Sequence, residues 1–260
     1  MTDQPVAIIS AGASGIGLSC ARALAAAGYR VLTLDIDVEA VAAFEAEFGE
    51  GTAVVCDVSH PAQVETAFAS LTEACDRVDV LLNNAGIAGP QQPVEEIEVE
   101  AWQSTINTDL NSLFYLTRLV IPFMKTQRSG VILNMSSSAG RYGCPLRSPY
   151  VASKWAAIGL AQTWAMELGP WNIRVNVLCP GSVGGERIER VIQRDAEERG
   201  VSAEDIRTVY QRQSSLRDFA SAEDIAAMVC FLSGPGGRMV SGQTIGIDGH
   251  TESLTNWLDP

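Results

Sequence analysis

Residues 8–17 read IISAGASGIG. An apolar, β-branched run breaks into three glycines, Gly12, Gly15 and Gly17, and passes directly into the Ala-rich stretch 17–27. The glycines are spaced G-x-x-G-x-G, not the G-x-G-x-x-G of the common dinucleotide fingerprint, so spacing by itself decides nothing. Position decides it. A glycine loop that follows a strand and opens a helix leaves free N–H groups, and the positive end of the helix dipole, facing the place a pyrophosphate takes. This reading assigns Gly12, Ser14, Gly15, Ile16 and Gly17 to a dinucleotide cradle.

The next check lies 18 residues beyond Gly17, where VLTLDID puts Asp35 at the end of a second strand. A carboxylate there accepts hydrogen bonds from the adenosine ribose hydroxyls and repels a 2′-phosphate. Ile36 and Asp37 offer no compensating cation, so the cofactor predicted is NAD rather than NADP.

Outward from this unit, short β-branched or Leu-rich runs alternate with longer Ala-rich stretches of helical period, the signature of βα units around a parallel sheet. Strands are predicted at 6–10, 30–35, 52–56, 78–83, 130–135, 173–178 and 243–247. Helices are predicted at 17–27, 38–48, 61–75, 101–125, 150–168 and 222–232. Most strands are apolar throughout, as in a sheet covered on both faces. The expected fold is therefore α/β: a single Rossmann-type domain over 1–260, doubly wound, with about seven parallel strands and helices on both faces. Residues 182–217 break the rhythm. They are rich in Arg, Glu, Asp and Gln, and they predict two charged amphipathic helices at 186–199 and 203–213, placed where an α/β enzyme carries a substrate lid.

Composition narrows the class. A chain of 260 residues with 47% apolar content can bury a full core, and no apolar run approaches the roughly 18 residues of a membrane-spanning helix. With no basic, apolar leader at the N-terminus, the expectation is a soluble, cytoplasmic protein. A net charge of −13 argues against nucleic acid or an anionic membrane as partner. The six cysteines, Cys20, Cys56, Cys75, Cys144, Cys179 and Cys230, form no C-x-x-C pair and read as buried free thiols. His60 and His250, the two histidines of the chain, cannot supply a His-rich zinc site, so no metal is expected.

Three further stretches follow predicted strands or open a helix: LLNNAG at 81–86, NMSSSAG at 134–140 and YVASK at 150–154. With CDV at 56–58 and CPG at 179–181, the order and spacing of these motifs resemble the short-chain dehydrogenase/reductase family over nearly the whole chain. In that family the glycine motif is T-G-x-x-x-G-x-G, which lays residues 10–17 upon it and puts Ala11 where the first glycine usually stands. The backbone at Ala11 must then suit a residue with a Cβ, with Gly12 beside it supplying freedom.

The resemblance implies a catalytic set of Ser137, Tyr150 and Lys154. Physical chemistry supports it separately, because Tyr150 and Lys154 are one helical turn apart and an ammonium on the same face favours the phenolate a general acid/base must reach. Ser137 is then expected to donate to the substrate oxygen together with Tyr150. The family's fourth catalytic residue is an Asn in the helix after the fourth strand. Here INTDLNSLF aligns Asp109 to it, between Asn107 and Asn111, and a carboxylate at that site can pair with Lys154. The resemblance also places Asp57 and Val58 at the adenine, Asn84, Ala85 and Gly86 along the ribose, Tyr150 and Lys154 at the nicotinamide ribose, and Val183 beside the nicotinamide, with Gly185 where a Thr is common. It further implies homotetramers or dimers through helices 101–125 and 150–168, to which Trp155, Trp164 and Trp171 contribute either as interface or as core.

The predicted activity is NAD-dependent interconversion of a secondary alcohol and a ketone, on a small-molecule substrate. An NADP-preferring carbonyl reductase and a non-catalytic nucleotide-sensing protein are the alternatives. Ser138 is a candidate for the substrate pocket. Arg141, Arg147 and Arg187 lie near Ser137, near Tyr150 and at the start of the lid, and form either a rim for an anionic substrate or partners for acids such as Glu186 and Glu189.

Overall fold

The computed structural model describes residues 4–73 and 75–254. Seven strands, β1 (Val6–Ser10), β2 (Arg30–Asp35), β3 (Ala53–Val55), β4 (Val80–Asn83), β5 (Gly130–Met135), β6 (Ile173–Pro180) and β7 (Thr244–Ile247), form one sheet in the order β3-β2-β1-β4-β5-β6-β7. All six neighbouring pairs are parallel. Parallel neighbours require crossovers. These are made by α1 (Gly15–Ala26), α2 (Val38–Phe48), α3 (Pro61–Thr72), the pair α4 (Val99–Ile106) and α5 (Ser112–Gln127), α6 (Ser148–Leu168), and the trio α7 (Glu186–Arg199), α8 (Ala203–Arg212) and α9 (Ala222–Ser233).

The alternation of strand side chains explains why the strands read as apolar throughout. Ile8, Leu32, Leu34, Leu81 and Ile132 point to one face, where Phe68 of α3, Leu116 and Met124 of α5 and Ala161 of α6 cover them. Ala7, Ile9, Val31, Leu82 and Leu133 point to the other, against Leu24 of α1, Phe44 of α2 and Ile225 and Val229 of α9. Each fully buried Leu, Ile, Val, Phe or Met side chain among these contributes about 1.5–3 kcal/mol. The strand order reverses between β1 and β4, which opens a crevice at the carboxyl ends of the strands, the usual ligand position in such sheets.

One expectation changes. The helix expected at 101–125 is interrupted: a π-helical segment, Asn107–Asn111, separates α4 from α5. One residue inserted into a helix leaves the hydrophobic period nearly intact, so the pattern could not disclose it, and such turns concentrate at functional sites. The segment 182–217 forms the two expected helices, and their apolar faces make a small core of their own, Ile188, Ile192, Ala196 and Ile206. Both ends of this hairpin are pinned to each other by the parallel bridge of Val183 with Ala220. Trp164 packs on the main core, whereas Trp155 and Trp171 are exposed. Among the described residues, no helix is long and apolar enough to cross a membrane.

Candidate active site

The glycine loop is held by the two strands beside it. Gly12 N–H donates to Thr33 Oγ1 (2.9 Å), and that hydroxyl donates to Ile9 O (2.8 Å). A Cβ on Gly12 would meet Thr33 Oγ1 at 2.4 Å, and one on Gly17 would meet Ala11 O at 2.1 Å, so neither position admits a side chain. Gly15 has φ +50° and open space about it. Ser14 is the N-cap of α1 but its side chain makes no cap bond, and the first turn holds no acid. The leading N–H groups of a 12-residue helix are thus uncapped by this side chain at the crevice, an arrangement that fits a pyrophosphate. Ile16 packs against the core beneath. Ala11 adopts φ +50°: the backbone has not relaxed to suit its methyl group, and the residue occupies the left-handed region that favours glycine.

Asp35 ends β2 and is buried. Its Oδ2 accepts from Ala13 N–H (3.0 Å) and its Oδ1 from Asp37 N–H (3.2 Å), so the carboxylate is fixed against the glycine loop. Asp57 follows β3 and accepts from Ser59 N–H (2.9 Å), with the His60 ring 3.3 Å from its Oδ2. Partial burial pushes the Asp57 carboxyl up, but the hydrogen bonds from Ser59 and the neighbouring His60 outweigh this and hold it below the ordinary value. Val58 is buried beside it.

Across the crevice, Ser10 Oγ accepts from the N–H groups of Asn84 (2.9 Å) and Ala85 (3.0 Å), while Asn84 Nδ2 donates to Ala11 O (2.9 Å). These bonds tie the loop after β4 to the glycine loop. A Cβ on Gly86 would come within 3.1 Å of Lys154 Nζ and 3.4 Å of Asp109 Oδ1, so the NNAG turn lies directly over that pair. Asp109, in the π-helical segment, is fully buried; its Oδ1 accepts from Ile87 N–H (2.7 Å) and its Oδ2 lies 3.4 Å from Lys154 Nζ without accepting a hydrogen bond. Lys154 Nζ also donates to Met135 O (3.3 Å) and stands 5.4 Å from the centre of the Tyr150 ring.

The three consecutive serines after β5 have different duties. Ser136 Oγ donates to Lys154 O (2.8 Å), and Ser138 Oγ donates to Pro180 O (3.0 Å) while accepting from Thr251 (3.2 Å). Ser137 Oγ accepts from Ala139 N–H (3.2 Å), which leaves its proton available. Ser137 and Tyr150 line one cavity of about 170 Å³, and Arg147 and Arg187 border it; Ser138 reaches it as well. Val183 packs against the core beside β6, at the root of the hairpin. Arg141 does not line the cavity and instead pairs with Asp248 (3.5 Å). Cys144 lines it, but burial pushes its thiol up against the opposing pull of Arg147, so it presents a protonated sulfur and no nucleophile. Burial likewise pushes Cys20 up to about 12 and Cys56 up to about 11, as expected of inert core thiols.

The family model described as enoyl-(acyl carrier protein) reductase matches residues 10–250. The chain belongs to the short-chain dehydrogenase/reductase family. Among its relatives in that family, it is 36% identical to the 3-oxoacyl-(acyl-carrier-protein) reductase FabG of Thermotoga maritima, over 94% of this chain and 96% of that one. It is 31% identical to a D-beta-hydroxybutyrate dehydrogenase of Rhizobium meliloti, over 94% and 96%. Its fold superimposes on NAD+-bound xylitol dehydrogenase with a TM-score of 0.87 at 29% identity, covering 94% of this chain and 97% of the other. With a variant actinorhodin polyketide ketoreductase holding NADPH the TM-score is 0.90 at 30% identity, covering 98% of both chains. The protein is thus an oxidoreductase of the short-chain dehydrogenase/reductase family, with a fold that binds a nicotinamide cofactor.

Some residues of the site carried a weak sequence signal or none. Thr33, which shapes the cradle, was visible as a polar residue inside an apolar strand. Gln91, which bonds Arg147 beside the cavity, carried no signal because its partner is 56 residues away.

Proposed function

We propose that this protein is an NAD-dependent dehydrogenase of secondary alcohols that also runs as a ketone reductase. The observation that carries the reading is the single cavity shared by Ser137, whose hydroxyl proton is uncommitted, and Tyr150, one turn ahead of a buried Lys154.

A nicotinamide held in this crevice would supply or accept the hydride. In the oxidising direction, Tyr150 Oη takes the proton of the substrate hydroxyl, and in the reducing direction it returns that proton to the carbonyl oxygen. Ser137 Oγ–H donates to the same oxygen and stabilises charge developing there. Lys154 holds an ammonium beside the phenol, and Asp109 acts through Lys154 by anchoring its Nζ. Asn84, Ala85 and Gly86 border the ribose side, Asp57 and Val58 the adenine side, and Val183 the nicotinamide. The hairpin of α7 and α8 forms one wall of the cavity and works as its lid.

The choice of NAD rests on Asp35. Its carboxylate is fixed by two backbone N–H groups at the end of β2, where a 2′-phosphate would meet a buried negative charge. Ile36 beside it is exposed and uncharged. A solved xylitol dehydrogenase with NAD+ supports this assignment. Exposed apolar side chains on α4, α5 and α6, namely Trp102, Phe114 and Trp155, support assembly of copies through these helices.

A panel of secondary alcohols, assayed for absorbance of the reduced cofactor with NAD and NADP in parallel, tests the reading. Oxidation with NAD at a kcat/KM above that with NADP is expected. Higher kcat/KM with NADP refutes the cofactor assignment, and no oxidation with either refutes the activity.

A further inference from the structure

The cavity shared by Ser137 and Tyr150 has a charge at odds with the chain around it. The protein has 31 acidic residues against 18 Lys and Arg, yet the charged side chains bordering the cavity among the described residues are two arginines, Arg147 and Arg187, with no acid beside them.

Neither arginine is neutralised. Arg187 makes no hydrogen bond or ion pair among the described residues, and it stands exposed in the first turn of α7. The acids nearest to it in sequence are engaged elsewhere: Glu186 with Arg190 (3.6 Å) and Glu189 with Arg207. Arg147 donates to Ala88 O (3.2 Å) and Gln91 Oε1 (2.9 Å). Both acceptors are neutral, so they fix the position of the guanidinium and leave its charge in place. Asp195 is separated from Arg147 by the Gln91 amide, which donates to Asp195 Oδ1 at 3.2 Å. The acids that compete for these arginines in the sequence reading are therefore otherwise bound, whereas Arg141 has found one in Asp248.

Two unneutralised guanidinium groups at the border of a reaction cavity are suited to a carboxylate, which a planar fork of donors can hold in a fixed orientation. The cavity they border, about 170 Å³, also holds Ser137 and Tyr150, so a carboxylate on the arginines and a hydroxyl at the catalytic pair can belong to one small molecule. We propose that the substrate is a small hydroxy acid, or the corresponding oxo acid, with its carboxylate held by Arg147 and Arg187 while the carbon to be oxidised faces Ser137 and Tyr150. This rests on the dehydrogenase reading above and adds the substrate class to it.

The test pairs 2-hydroxybutanoate, 3-hydroxybutanoate and 4-hydroxypentanoate each with its primary amide, which changes charge and little else, and adds 2-butanol and 2-pentanol as neutral alcohols. For wild-type protein with NAD, kcat/KM for at least one acid should exceed that for its amide by about tenfold or more. Arg187→Ala removes a side chain without partners, so the fold is spared, and circular dichroism checks this. It should raise KM for that acid by about tenfold while moving the amide less than twofold, and Arg187→Glu should weaken the acid further. Amides oxidised as well as acids, or variants that treat both alike, overturn the clamp. Oxidation of the neutral alcohols but of no acid overturns the clamp and leaves the dehydrogenase reading standing. No oxidation of any compound with NAD or NADP overturns both.

Discussion

Asp109 Oδ2 lies 3.4 Å from Lys154 Nζ, with both side chains buried, directly beneath the turn that carries Gly86. The resemblance aligns this carboxylate with an Asn of the family. Its Oδ1 does what an Asn side-chain oxygen also does, accepting from Ile87 N–H at 2.7 Å. Its Oδ2 adds a countercharge that an Asn lacks.

The two duties separate by substitution. Asp109→Asn keeps the Ile87 bond, and kcat should stay within about tenfold of wild type, because Lys154 still has Met135 O and its place beside Tyr150. Asp109→Leu removes both duties and leaves a buried ammonium without its partner, which should cost about 3–5 kcal/mol in denaturant unfolding. An Asp109→Asn protein as inactive as one without Tyr150 Oη would give the carboxylate an essential role of its own.

Cofactor preference should follow Asp35. Replacing it by Ser and Ile36 by Arg exchanges a repulsive charge for an attractive one next to the 2′ position, while Ser retains a short acceptor for the glycine loop. The ratio of kcat/KM for NADP to that for NAD should rise by about a hundredfold, the equivalent of roughly 3 kcal/mol. An unchanged ratio would remove Asp35 from the discrimination.

Ala11 tests the local physics of the cradle. At φ +50° its Cβ costs about 1–2 kcal/mol, part of which glycine gives back through the greater freedom of the unfolded chain. Ala11→Gly should therefore stabilise the protein by about 0.5–1 kcal/mol, read as a rise in melting temperature of a few degrees. A lower melting temperature would mean that the methyl group makes favourable contacts that outweigh the strain.

The sequence disclosed most where one local rule sufficed. Strands buried on both faces announce themselves as apolar runs, and the glycine loop followed by Asp35 marks the first βαβ unit without reference to anything distant. The spacing of Tyr150 and Lys154 is a helical turn and needed no structure to be read. What stayed hidden depends on contacts far apart in the chain. The π-helical turn at Asn107–Asn111 leaves the helical period almost untouched, and the bond between Arg147 and Gln91 joins segments 56 residues apart. The arginines show the same limit: Arg141, Arg147 and Arg187 look alike as letters, and only the position of Asp248 separates the first from the other two.

The central claim is that the Tyr150 hydroxyl moves the substrate proton, and Tyr150→Phe tests it with least disturbance because Tyr150 Oη makes no hydrogen bond among the described residues and the ring is retained. NADH affinity, followed by fluorescence titration of the purified variant, should stay within about threefold of wild type, and turnover of the best alcohol in the panel should fall by at least about a thousandfold. A folded variant that binds NADH normally and keeps a tenth of wild-type turnover would contradict the account.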